Sequence, residues 1–173
     1  MPPAFEEAPA RLASSLHEAN NDTGRVAFCG PVVLSAITGY SVSKVEDEVR
    51  AFRDLAAERK PVVKGTYAEE VAAALAHFGY SMELRDSFMH LPRKERPSLS
   101  SWMDKGRAGN ERRKTFSYYI VALHKKNEGH WVVLKGIHLC DTYSDGRWQL
   151  FCNGQHTGAR IMEVFEVRKS LDV

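Results

Sequence analysis

The patterning of this chain changes kind after about residue 106, and that change limits the folds open to it. Before it, apolar residues recur at helical spacing. After it, short runs rich in β-branched and aromatic residues alternate with turn-forming stretches. Residues 10–21 ("ARLASSLHEANN") have the pattern of a short amphipathic helix. The run Val32, Val33, Leu34, Ala36, Ile37 is apolar on nearly every side, which predicts a buried helix, with Pro31 in its first turn and Gly39 at its end. Ser43 and Glu46 stand at capping-box spacing ahead of the stripe Val45, Val49, Phe52, Leu55. Thr66 and Glu69 repeat the device, with Gly79 as the stop, and "PSLSSWMDKG" gives a fourth, shorter helix.

The second part reads as strands over 115–123, 130–139, 147–153 and 159–167. The segments between them, "HKKNEG", "CDTYSDG" and "GQHTG", carry turn chemistry. Helices first and strands later predict an α+β fold with an antiparallel sheet. At 173 residues the expectation is one domain over 1–173, with a loose proline-containing arm at 1–9, a helical half over about 10–106 and a sheet half over about 115–170.

Bulk properties exclude several function classes. A net charge of +2 supplies no general attraction to nucleic acid or to a membrane. The basic stretch "RAGNERRK" has no interleaved aromatics and reads as solvated surface. No stretch approaches eighteen apolar residues, and the N-terminus lacks the apolar core of a signal peptide. Three separated cysteines do not make a disulfide framework and fit a reducing compartment. The expected location is the cytoplasm, with the cytoplasm of a host cell, reached by a phage or secreted-effector protein, as the alternative. Partners other than a peptide or protein substrate are not indicated, and oligomeric state is left open.

The chemistry-bearing candidate is Cys29, directly ahead of Gly30-Pro31 and the buried helix. A nucleophilic thiol must be ionised, and an ordinary cysteine near pKa 8.5 mostly is not at neutral pH. A helix N-terminus, with its free N–H groups, stabilises the thiolate. A nearby imidazole that takes the proton does so further. Of seven histidines, His130 is the best partner, because it follows Gly129 and opens the strand "HWVVLKGI" at a rim. Taken alone, Cys29 reads as a packed thiol and His130 as a satisfied strand-end residue. Cys140 and Cys152 flank one hairpin and, with His138 and His156, invite a disulfide or a metal. No Cys-x-x-Cys or close histidine pair supports zinc, so no metal and no cofactor are expected.

The succession "CGPVVLSAITGY", "GTYAEEVAAALAHFGY", "SLSSWMDKG" and "GHWVVLKGI" resembles the papain-like cysteine peptidases, most closely the bacterial branch related to double-glycine leader peptidases. The resemblance covers about residues 20–155. It implies a papain-like α+β fold with Cys29 as nucleophile on the central helix and His130 as base. It also implies a third residue, Asp or Asn, after the strand that follows the histidine strand, which orients the imidazole. The matching position is Asn153 if "CDTYSDG" is a loop of several residues, with Asp141 as the fallback. A two-residue turn at Asp145-Gly146 would instead carry Asn153 out of reach of His130.

The family's oxyanion glutamine, six positions before the cysteine, is Thr23 in this chain. Asn20 or Asn21 is then expected to donate to the oxyanion with the Cys29 backbone N–H. Gly30 leaves room for substrate backbone, and Trp131 is expected to wall the cleft. The implied activity is hydrolysis of a peptide or isopeptide bond through a thioester. A deamidase, transglutaminase or acyltransferase uses the same residues, and a catalytically silent module keeps only the fold.

Overall fold

The computed structural model describes residues 16–54, 60–108 and 117–171. The arm at 1–9, the first part of the helix expected over 10–21 and most of the basic stretch at 107–114 lie outside these residues. Residues 16–21 are not helical.

Helix α1, Cys29–Thr38, buries every residue from Gly30 to Ile37, as its unbroken apolar run requires. It ends where Gly39, at φ 77°, turns left-handed and returns its N–H to the Ser35 carbonyl. Helix α2, Val42–Phe52, is capped by Ser41 rather than Ser43, its hydroxyl accepting from the Lys44 N–H. The expected box fails because Glu46 is needed inside. It is 1% exposed and holds Arg25 at 2.5 Å and Arg50 at 2.8 Å. Helix α3, Ala68–His77, is closed by Glu70 rather than Glu69, through a 2.8 Å bond from the Tyr67 N–H. Glu70 also binds Arg53, tying α3 to the end of α2. Gly79, at φ 82°, follows as expected.

Among the described residues six strands form one sheet in the order β1-β6-β2-β3-β4-β5, each neighbour antiparallel to the next. They are β1 Tyr80–Ser87, β2 Tyr118–Lys125, β3 Glu128–Lys135, β4 His138–Cys140, β5 Gln149–Leu150 and β6 Arg160–Lys169. Helix α4, Leu99–Ala108, lies between β1 and β2 in sequence. The α+β class read from the sequence is the observed one.

The expected strand 115–123 shifts by a few residues, the expected strand 147–153 keeps only Gln149–Leu150 ahead of the 3-10 turn Phe151–Asn153, and two further differences have local causes. The expected strand 130–139 is two strands, because Gly136, at φ 58°, makes a two-residue hairpin that pairs Lys135 with His138. Strand β1 was not expected. Its sequence, "YSMELRDS", is charged, with every residue exposed or half-buried at the sheet edge, and it lacks the β-branched signal.

The sheet is covered on both faces. Residues Val33, Leu34 and Ile37 of α1, Val45 and Val49 of α2, and Val71 and Leu75 of α3 pack on Ile120, Val133 and Phe165. On the opposite face Leu99, Trp102 and Met103 of α4 pack on Val121, Leu123, Val132 and Ile161. Burial of both faces explains why β2 is an unbroken apolar run rather than an alternating one. Each fully buried Leu or Ile here contributes roughly 1.5–3 kcal/mol. The consequence for the site is positional: α1 is clamped against the sheet with its N-terminus beside the start of β3.

Candidate active site

Cys29 is the first residue of α1. The first intrahelical bond runs from the Val32 N–H to the Phe28 carbonyl at 3.1 Å, and Pro31 has no N–H. The amides of Cys29 and Gly30 are therefore free of helix bonds. The His130 side chain and the backbone amides of Trp131 and Gly30 are the groups that favour the Cys29 thiolate. Burial pushes the thiol up, but the His130 bond and the two amides together bring it below the ordinary cysteine value.

His130 is set by β3, which pairs it with Leu123 of β2. Its Nε2 lies 3.0 Å from Asp141 Oδ2, leaving Nδ1 for the thiol. Burial alone would lower the imidazole, yet the bonds to Asp141 and Cys29 raise it to about 9. Asp141, 2% exposed, is itself fixed: Oδ1 accepts from the Ser144 N–H at 2.9 Å, across the 3-10 turn Thr142–Ser144. The same loop is pinned to the chain's described beginning, with the Ala19 N–H on the Gly146 carbonyl at 2.8 Å and Trp148 Nε1 on the His17 carbonyl at 2.7 Å. Cys140, the neighbouring residue, shows what burial does without an imidazole: its thiol is pushed up to about 12.

Asn153 does not orient His130. It is exposed in the 3-10 turn Phe151–Asn153, where its Oδ1 accepts from the Cys152 thiol at 3.7 Å. The hairpin at Gly136 is the reason. With 130–139 folded into two strands, the strand after the histidine strand is β4, and Asp141 is the residue that follows its end. The loop 141–148 is as wide as an Asn153 role required, but β5 pairs with β4 and so lies two strands from His130.

The expected oxyanion amides are also engaged elsewhere. Asn20 bridges to Ser41 and takes its backbone N–H to the Ser35 hydroxyl, toward the far end of α1 from Cys29. Asn21 donates its amide to the Arg25 carbonyl at 2.7 Å, and its Oδ1 accepts from the Thr23 hydroxyl at 2.6 Å. Asn21 borders a separate cavity that Cys29 does not line. Gly30 is buried, and its Cα faces Thr66 rather than open cleft: a Cβ there would lie 2.1 Å from Thr66 Oγ1. The Cys29 N–H remains as the backbone donor.

Trp131 walls the cleft as expected, its Nε1 donating to the Thr66 carbonyl at 3.1 Å. The cleft, about 670 Å³, runs from Cys29 and His130 past Gly65, Thr66 and Tyr67 to Met162. His156 was missed as a neighbour of the site. It returns from the β5–β6 connection to put its ring 5.0 Å from His130 and 4.3 Å from Tyr143. No periodicity or motif in the sequence marks it, because it sits in a turn. Cys29, Cys140 and Cys152 are all free thiols.

Neither protein-family models nor curated proteins give a match to this chain.

Proposed function

We propose that this chain is a papain-like cysteine peptidase that hydrolyses a peptide or isopeptide bond through a thioester. The observation that carries the reading is the line Cys29–His130–Asp141, in which the thiol is held below and the imidazole above their ordinary values. Both shifts run toward the thiolate–imidazolium pair, the form in which a thiol attacks. A Cys140-like environment would leave it inert.

In the first step the Cys29 thiolate bonds to the scissile carbonyl carbon, and the Cys29 N–H faces the oxygen that becomes negative. Imidazolium His130 gives its proton to the leaving nitrogen as the C–N bond breaks, leaving a thioester. A water then loses a proton to His130 and attacks the thioester. The acid product leaves and the imidazolium–thiolate pair is restored. Asp141 keeps the ring oriented and balances its positive charge throughout. A peptide or protein is the substrate that suits an open cleft bordered by main chain at Gly65–Thr66. Among the described residues no helix is long and apolar enough to cross a membrane, and three free thiols suit the cytoplasm.

A second reading, a catalytically silent module of the same fold, is favoured by one observation: the Asn21 amide is committed to the Arg25 carbonyl, away from Cys29. The test is incubation with a complex peptide mixture, followed by mass spectrometry of new termini and of mass added to Cys29. New termini and a hydroxylamine-sensitive acyl adduct, both absent in Cys29→Ala, support the peptidase. An acyl adduct that amines resolve and water does not would instead indicate a transferase. Neither product nor adduct would favour the silent module.

A further inference from the structure

His130, Asp141 and His156 each offer a ligand atom, and these atoms all lie within 4.8 Å of one another. They come from three places in the fold: the start of β3, the end of β4 and the turn before β6. Two are already placed as zinc ligands would be. Zinc–ligand distances of about 2.0–2.1 Å put two tetrahedral ligand atoms about 3.3 Å apart, and His130 Nε2 stands 3.0 Å from Asp141 Oδ2. The third carries an unexplained polar atom, since His156 Nε2 is buried and, among the described residues, has no hydrogen-bond partner. A buried imidazole nitrogen left without a partner costs free energy unless something binds it.

We propose that His130, Asp141 and His156 form a site for a divalent transition cation, Zn²⁺ or a like ion, whose occupancy replaces the His130–Asp141 hydrogen bond with two metal–ligand bonds. The donor set, two imidazoles and one carboxylate, is one that zinc takes in sites with an open fourth position. The outer contacts are in place: Ser144 holds Asp141 through Oδ1, so Oδ2 is free to ligate, and Tyr143 flanks both histidine rings. The ion replaces the proton on Nε2 and breaks the His130–Asp141 bond. Binding of metal to this set does not depend on what Cys29 acts upon, so its failure leaves the peptidase reading standing, and the converse also holds.

The test uses the full chain carrying Cys152→Ser, which removes an exposed thiol that would compete for metal. Co²⁺ alone is titrated in metal-free buffer and followed by visible absorption, and Zn²⁺ alone is then used to displace it. The expected result is one cobalt per chain with the intense visible bands of four-coordination. Affinity should fall about tenfold or more in His156→Ala and in His156→Gln. Thermal unfolding of each variant checks that it folds. No cobalt bands at millimolar metal, equal affinity in a folded His156 variant, or a thiolate-to-cobalt charge-transfer band would each overturn the site.

Discussion

His130 and Asp141 meet through a 3.0 Å contact between Nε2 and Oδ2, with both side chains almost sealed from water. A charged imidazole in that position stands only because the carboxylate faces it. Removing the carboxylate therefore acts on the thiol two residues along the chain of contacts.

Asp141→Ala is expected to lower Cys29 labelling below pH 7 to the rate of an ordinary thiol. It should also destabilise the fold by about 3–5 kcal/mol if His130 stays charged, and less if the ring gives up its proton. Asn153→Ala, at an exposed turn, should change labelling less than about twofold and stability by under about 0.5 kcal/mol. Urea unfolding and labelling of the same two variants check both statements.

The raised imidazole gives a signed pH dependence. A histidine moved from 6.5 unfolded to about 9 folded contributes stability that is fully present below pH 6.5 and is lost as pH rises through 9. The amount is on the order of 3 kcal/mol. The lowered Cys29 thiol has the opposite sign: its contribution is present above its unfolded value of 9.0 and is lost as pH falls through its folded value. In a Cys29→Ala background, which removes the thiol's opposing contribution, unfolding free energies with and without His130→Ala, taken from pH 5.5 to 9.5, should differ most at the acid end and converge toward the alkaline end. A constant difference would contradict the ionised pair.

The hairpin that delivers Asp141 rests on one glycine. Gly136 sits at φ 58°, and Gly136→Val is expected to destabilise by about 1–2 kcal/mol through backbone strain alone. Because Asp141 follows the strand that this turn starts, Cys29 labelling should fall as well. Loss of stability with untouched labelling would show that the loop 141–148 places Asp141 without help from the turn.

Close packing beneath the nucleophile gives a double-mutant test. Gly30→Ala brings a Cβ to 2.1 Å from Thr66 Oγ1, and overpacking of this kind costs about 1–3 kcal/mol. Adding Thr66→Ala removes the hydroxyl and methyl and should recover much of the loss. Additive effects in the cycle would mean that α1 shifts rather than Thr66 yielding.

Much of this was legible in the sequence, and the failures are local. Buried α1 followed from its unbroken apolar run, and the opposition of Cys29 and His130 from a Gly-Pro helix start and a glycine ahead of a strand. The orienting residue was misread because "KGIH" lies within an apolar run, and strand pattern alone does not reveal that Gly136 folds it back. Counting the strands correctly moves the role from Asn153 to Asp141. The capping residues were each displaced by a position or two. Glu46 and Glu70 are fixed by Arg25, Arg50 and Arg53, partners that adjacent sequence does not reveal. His156 carries no sequence signal at all, since only the tertiary path of the β5–β6 connection brings it to His130.

The central claim is that Cys29 is ionised by His130 near neutral pH. The direct measurement is the rate of iodoacetamide modification of Cys29 from pH 4 to 9, read by peptide mass spectrometry, with Cys140 and Cys152 as internal standards and His130→Ala beside wild type. Fast labelling of Cys29 that persists below pH 7 and collapses in His130→Ala is the predicted result, with buried Cys140 unreactive throughout. Labelling of Cys29 no faster than Cys152, and indifferent to His130, would contradict the account.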